Sequence, residues 1–425
     1  GEDLQVFLIR VVFCLFADDT GIFEKRASLL ALLKNRTAQD GSDLGGWLQR
    51  LFETLNTPEH QRQKSLDEEL AQFPYINGAL FERPARIPSF NSAMRTALIR
   101  ACEFDWKAVS PAIFGSLFQS VMDSKTRREQ GAHYTSERHI LRLIEPLFLD
   151  ELNREFNQLC TLKRGKTKAL QQFHQKLAKL TFFDPACGCG NFLVVAYQQI
   201  RQLETRLLQE IHKGDNRLHL DISHLSQIDV DHFYGLEIGE FAAKIAQIAL
   251  WMTDHLCNLE LSAAFGQHYA RIPLNKSPNI LCADALQTDW HSLLPATQCR
   301  YVLGNPPFIG KSFQSPEQNQ QMRRIAALPG TGGGSLDYVC AWFIKAAEYV
   351  QASKQASKQA SKQASKQAKV CRRVSLLCQP IPLPRANRWR NSGRCCLNAT
   401  GWKSPLPTAA LTGPPKPAVQ PMCMW

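Results

Sequence analysis

Apolar residues recur every three to four positions through the first hundred residues, then condense into short unbroken runs with helical stretches between them. Leu44, Trp47, Leu48, Leu51, Phe52 and Leu55 carry the helical spacing and predict one amphipathic helix. Leu4 to Ala17 is apolar on most sides apart from Arg10, which predicts a buried helix. The run from Leu4 to Phe16 ends at Asp18-Asp19, is too short to span a bilayer and lacks a signal-peptide layout. Phe73 to Phe81 is rich in turn formers and predicts a segment packed against the downstream domain. Further on, Leu180-Thr181-Phe182-Phe183, His232 to Ile238, Asn279 to Cys282 and Tyr301-Val302-Leu303 read as short strands. A helix from Leu193 to about Leu208 comes after the first of them, and another from Leu336 to Val350 after the fourth. This alternation predicts an α/β fold: an all-helical region over 1–108, then a parallel-sheet domain over 109–350.

The polar residues at the strand ends are chemically pointed. The first strand runs into Asp184-Pro185-Ala186-Cys187-Gly188-Cys189-Gly190 and then a helix, the layout by which a sheet lets a nucleotide-like ligand approach the backbone. Its spacing is not GxGxxG, so a dinucleotide is not implied. Glu237 closes the second strand, where a carboxylate can take both hydroxyls of a ribose. Asp284, with Ala285 after it, comes just past the third strand and can accept from an adenine amino group. The fourth delivers Asn305-Pro306-Pro307-Phe308. The Asn305 side-chain oxygen and the Pro306 carbonyl are two acceptors for one exocyclic amine, the prolines fix the backbone, and the Phe308 ring can stack on the heterocycle. Taken alone, the tetrapeptide also fits a plain turn.

Together these residues resemble the adenine-specific, S-adenosylmethionine-dependent DNA methyltransferases, in particular the methylase portion of single-chain restriction–modification enzymes of the IIG/IIL kind. The match rests on residues 184–190, Glu237, Asp284, Asn305 to Phe308, and an earlier segment, Gln130-Gly131-Ala132-His133-Tyr134-Thr135. It extends over about residues 1–350 and implies a class I methyltransferase sheet preceded by a helical spacer domain. It further implies that His133, Tyr134, Thr135, Asp184, Ala186, Gly188, Gly190, Glu237, Asp284 and Ala285 hold S-adenosyl-L-methionine. Asn305, Pro306, Pro307 and Phe308 are then the catalytic set, and double-stranded DNA is the partner. The position of 130–135 ahead of the glycine turn is the order of the subgroup whose target-recognition domain is C-terminal. The family more often has Ser at position 189 and Tyr at 308; Cys189 and Phe308 preserve a turn built on backbone groups and a ring that only stacks.

The resemblance implies direct methyl transfer to adenine N6, with the adenine flipped out of the duplex. C5-cytosine chemistry needs a cysteine nucleophile, usually beside a proline, and the sequence contains no Pro-Cys pair. Cytosine N4, an RNA base and a glutamine side-chain amide remain alternatives for the amine pocket, as does a fragment that binds cofactor without catalysis.

Charge changes the picture less than its total suggests. The net charge is +12, but residues 351–425 hold thirteen Lys and Arg and no acid, which leaves −1 for the first 350. DNA contacts are therefore expected from local patches such as Lys125 to Arg128 or Lys163 to Lys166, each of which also reads as ordinary solvated surface. The fourteen cysteines show no disulfide framework, which predicts a reducing cytoplasm. Cys187 and Cys189 are too close together and too hemmed by glycine for a zinc pair, so no metal is predicted; Cys14 and Cys257 read as core thiols. Pro329 to Gly334 reads equally as a linker or as a lid over the site.

At Gln351 the pattern changes. Gln-Ala-Ser-Lys repeats four times over 351–366, can form a helix, and has no apolar stripe. Residues 370–425 lack both acids and periodicity, which predicts an irregular tail translated out of frame, a genuine basic DNA-binding tail being the alternative. The chain opens on Gly1 without a nuclease signature, so an incomplete N-terminus is expected, with any nuclease and the target-recognition domain outside this chain. The strand ending at Asn305 is then expected to be an uncovered sheet edge. With the recognition domain missing as well, the chain is expected to be impaired in DNA methylation while its cofactor contacts survive.

Overall fold

The computed structural model describes residues 2–23, 25–76, 79–82, 86–109, 113, 135–213, 225–266, 277–326, 336–363 and 373–376. Five strands form one sheet: β1 (Phe182–Asp184), β2 (Phe233–Glu237), β3 (Asn279–Cys282), β4 (Tyr301–Gly304) and β5 (Arg373–Leu376). Their order is β3-β2-β1-β4-β5 and every pairing is parallel. The register sets Phe182 opposite both Phe233 and Tyr301, and the three rings stack across the strands with centroids 4.8 and 5.4 Å apart. Side chains alternate as a pleated strand requires. Phe182, Phe233 and Tyr301 enter one apolar cluster; Phe183, Leu236 and Val302 enter the other.

The longer helices are α1 (Glu2–Thr20), α2 (Ser28–Arg36), α3 (Leu44–Leu55), α4 (Ser92–Cys102), α5 (Glu137–Ile144), α6 (Asp150–Cys160), α7 (Lys166–Leu177), α8 (Asn191–Ile211), α9 (Glu240–Phe265), α10 (Pro316–Ala326) and α11 (Cys340–Gln363). α3 buries Leu44, Leu48, Leu51, Phe52 and Leu55, the stripe its spacing predicts. α9 stops at Gly266, whose left-handed φ of 64° lets the chain turn away. α8 and α9 cover the Phe182 face, and α11 covers the Phe183 face through Trp342, Ala346 and Tyr349. Phe7, Phe13 and Phe16 of α1 belong to the same apolar cluster as Leu193 of α8 and Leu250 of α9. His255 of α9 donates to the Thr20 carbonyl at 3.1 Å, tying the N-terminal helices to the sheet domain. Cys14 and Cys257 are buried thiols, as expected. Among the described residues, no helix is long and apolar enough to cross a membrane.

Three expectations are corrected. β1 begins at Phe182, because Leu180 closes the turn after α7. The last helix starts at Cys340, after a turn at Asp337 to Val339, and runs on through the repeat to Gln363. Ala, Gln and Lys propagate a helix already nucleated by packed apolar residues, so the missing stripe does not end it. Finally, β4 is not a sheet edge. β5 pairs along its whole length, with Val302 opposite Val374 and Gly304 opposite Leu376. The reason for expecting an exposed catalytic strand therefore falls away. The lid or linker segment, Gln130 to Tyr134 and the tail beyond Leu376 lie outside the described residues.

Candidate active site

The carboxyl ends of β1, β2, β3 and β4 lie along one edge of the sheet, and β1 is central, flanked by β2 on one side and β4 on the other. At such a switch in strand order the connections leave in opposite directions and open a crevice. The turn after β1 enters it. Gly188 and Gly190 take left-handed φ values of 54° and 85°, which glycine adopts at little cost. A Cβ on Gly190 would lie 2.9 Å from the Ala246 Cβ, so this glycine lets α8 and α9 pack closely. A Cβ on Gly188 would meet nothing within 4 Å among the described residues.

Glu237 binds the turn directly. Gly188 N donates to one of its carboxylate oxygens and Gly239 N to the other, both at 2.9 Å. Burial raises its pKa and these donors lower it in part. A carboxylate offers about four acceptor directions, and with the Ile238 N–H also turned to it about one remains. Beside it Ile238 is 65% exposed, an apolar surface at the mouth of the crevice. Asp184 is wholly buried. Its Oδ1 accepts from Ala186 N at 2.9 Å, its Oδ2 has no partner among the described residues, and burial pushes its pKa up to about 8. Burial also pushes the Cys189 thiol up to about 12 and Cys187 well above its usual value, so neither is a thiolate nucleophile.

Asp284 is already heavily bonded. Oδ1 accepts from Leu286 N at 2.9 Å, and Oδ2 accepts from Gln287 Nε2 at 2.7 Å and Gln321 Nε2 at 2.6 Å. The carbonyl of Ala285 accepts from Trp290 Nε1 at 2.8 Å and Lys345 Nζ at 2.7 Å, which fixes the loop and occupies that carbonyl. Gln321 of α10 and Tyr338, whose hydroxyl bonds the Gln321 oxygen, were not legible as neighbours of Asp284; no motif marks them. Trp342 likewise donates to the Pro185 carbonyl at 2.9 Å, clamping the glycine turn from α11.

At the end of β4, Asn305 Nδ2 donates to Thr135 Oγ1 at 3.0 Å, while Asn305 Oδ1 is buried with no hydrogen-bond partner among the described residues. Pro306 is buried, and Pro307 and Phe308 are half-buried beside it. The structure thus brings Thr135 and Asn305 into contact, and sets Gly188 against Glu237. His133 and Tyr134 lie outside the described residues.

Residues 160–376 match the family described as "MmeI, DNA-methyltransferase domain", and residues 2–81 match "MmeI, helicase spacer domain". The chain belongs to the MmeI DNA-methyltransferase family. The motifs at 184–190, 237, 284 and 305–308 all fall within the first of these matches. DNA methyltransferase A of Bacillus subtilis (strain 168) is 36% identical over 357 residues, covering 83% of this chain and 39% of that protein. The type IIL restriction–modification enzyme MmeI, solved in complex with DNA, superposes with a TM-score of 0.76 at 53% identity, covering 83% of this chain and 46% of that one. The chain spans less than half the length of these two relatives.

Proposed function

We propose that this chain is the methylase part of a restriction–modification system and that its site transfers a methyl group from S-adenosyl-L-methionine to the N6 amine of adenine in duplex DNA. The expectation of an impaired chain has lost its sheet-edge ground, with β5 beside β4. The observation that carries the proposal is the Asn305 side-chain oxygen, an acceptor buried at a strand end and without a partner among the described residues. Leaving a buried polar atom unpaired costs about 1–3 kcal/mol, and sites tolerate that where a ligand supplies the missing bond. The missing group is a donor, and an aromatic amine is the donor that also suits the half-buried Phe308 ring.

The methyl donor fits the same edge. The Gly188 turn, where a Cβ would meet nothing within 4 Å among the described residues, the remaining acceptor direction on Glu237 and the exposed Ile238 suit a nucleoside with a ribose hydroxyl. When bound, S-adenosyl-L-methionine supplies an electrophilic methyl on a sulfonium. The residues of the chain do the positioning. Glu237 holds a hydroxyl, the 184–190 turn presents backbone to the donor, and Asp284 keeps about one acceptor direction for an amino group. Asn305 Oδ1 and the Pro306 carbonyl accept hydrogen bonds from the two amine hydrogens, which favours a pyramidal nitrogen whose lone pair would form the N–C bond as the methyl's C–S bond breaks. The C–S electron pair would leave with S-adenosyl-L-homocysteine, and one amine proton would pass to solvent. Preorganised acceptors of this kind lower a barrier by about 3–4 kcal/mol each in a dry site. No thiolate and no covalent enzyme intermediate are needed.

Calorimetry with S-adenosyl-L-methionine tests the first half, and nucleoside analysis of DNA incubated with the donor tests the second. Saturable donor binding and N6-methyladenine are expected; N4-methylcytosine as the product would replace adenine with cytosine in the same pocket.

A further inference from the structure

Thr135 falls in a segment whose resemblance implies a cofactor role, yet the contact it makes is with the candidate target site. The residue is 4% exposed, and its hydroxyl oxygen accepts from the Asn305 amide across 170 residues of sequence. We infer that Thr135 is a positioning residue for the target amine: its hydroxyl sets which end of the Asn305 amide faces the pocket. The inference rests on the reading of Asn305 as the amine acceptor.

An amide is nearly symmetric in shape and wholly asymmetric in hydrogen bonding. Rotating the Asn305 side chain by half a turn exchanges oxygen for NH2 with almost no change in outline, but it exchanges acceptor for donor. With the NH2 on Thr135, the oxygen is the atom left over for the site, as seen. In the reverse orientation the Thr135 hydroxyl would donate to the oxygen, and both N–H bonds would be left without acceptors, against one N–H and one oxygen as seen. Orphaned buried N–H groups are rarer in proteins than under-satisfied oxygens, so with Thr135 paired either way the first orientation is favoured. That orientation receives an amine; the other would set N–H against N–H and repel it.

The alternative is that Thr135 serves the methyl donor and touches Asn305 incidentally. Two variants of the full chain, Thr135→Val and Thr135→Ser, separate the two. Valine keeps the shape and removes the hydroxyl, whereas serine keeps the hydroxyl. If Thr135 positions Asn305, the valine variant transfers methyl groups with kcat reduced about tenfold, the loss expected of one buried hydrogen bond. Its affinity for S-adenosyl-L-methionine by calorimetry stays within twofold, and serine restores kcat. Transfer at the unaltered rate in the valine variant, or a loss of donor affinity in step with the rate, overturns the inference. A second readout does not depend on turnover: hydrogen exchange of the Asn305 side-chain amide in protein labelled with 15N-asparagine, the resonance being assigned by its loss in Asn305→Ala. Slow exchange in the unaltered and serine chains with fast exchange in the valine chain supports the inference, and equal exchange in all three overturns it. If the unaltered chain methylates no DNA, the proposed function fails and this exchange measurement decides the role of Thr135 alone.

Discussion

Asp184 carries a proton at neutral pH, because burial pushes its carboxyl from 3.8 to about 8 and only Ala186 N offsets that. A group that holds its proton more tightly in the folded state makes folding less favourable as pH rises from its unfolded pKa to its folded one. Stability is therefore expected to fall between about pH 4 and pH 8, and Asp184→Asn should flatten that decline. Urea midpoints at pH 5 and pH 8 for both proteins check it. The neighbour that crowds Asp184 is Gly304, where a Cβ would stand 2.3 Å from its Oδ1 and where φ is 155°. Gly304→Ala is expected to cost about 1–3 kcal/mol in urea unfolding, the range for forcing extra atoms into packed space. It should also displace the adjacent Asn305. The strand-end residues Glu237, Asp284 and Asn305 were legible because each is polar directly after an apolar run. The free oxygen of Asp184, the Thr135 contact and the Gln321 bond to Asp284 were not, since each depends on a partner distant in sequence or on burial.

At the scale of elements, the four strands near 182, 233, 279 and 301 and the helix after Gly190 stand where the apolar runs predict them. What periodicity did not reveal was the polar network locking α8 to α9. Arg201 donates to Asp254 Oδ1 at 2.9 Å and Asn258 Oδ1 at 2.7 Å, and Tyr197 donates to the same Asp254 oxygen at 2.6 Å. Glu204 accepts from His174 at 2.7 Å and from Gln227 N at 2.8 Å, and its other oxygen lies 3.3 Å from the Arg201 guanidinium. Arg201 and Glu204 look like solvent-facing positions in sequence, yet both are 1% exposed. Because Arg201 faces two buried carboxylates, Arg201→Leu is expected to destabilise by about 3–5 kcal/mol, the cost of leaving a buried charge without its partner. Guanidinium unfolding of the variant measures it. Since the network holds the two helices that flank the glycine turn, donor affinity should weaken with it.

For the whole molecule, the spacer helices and the sheet share an apolar core, a union no local pattern announces because it joins Phe7 to residues two hundred positions away. The repeat, which has no stripe of its own, continues α11 and precedes a strand that pairs with β4. Charge is divided unevenly, near −1 over the first 350 residues with all the excess beyond them. Non-specific attraction to DNA is therefore expected from the tail. Replacing Arg385, Arg388, Arg390, Arg394, Lys403 and Lys416 by Gln should flatten the dependence of log affinity on log salt, by up to about 5 in slope, while β5 is left intact. Fluorescence anisotropy on mixed-sequence duplexes across a salt series reads that slope. The central claim concerns the acceptor at the end of β4, and its most direct measurement is the N6-methyladenine formed in duplex DNA by the unaltered chain and by Asn305→Ala, at saturating S-adenosyl-L-methionine. N6-methyladenine is expected from the former and a loss of about 100-fold or more in the latter, with donor affinity retained. Equal yields from the two proteins would contradict the claim.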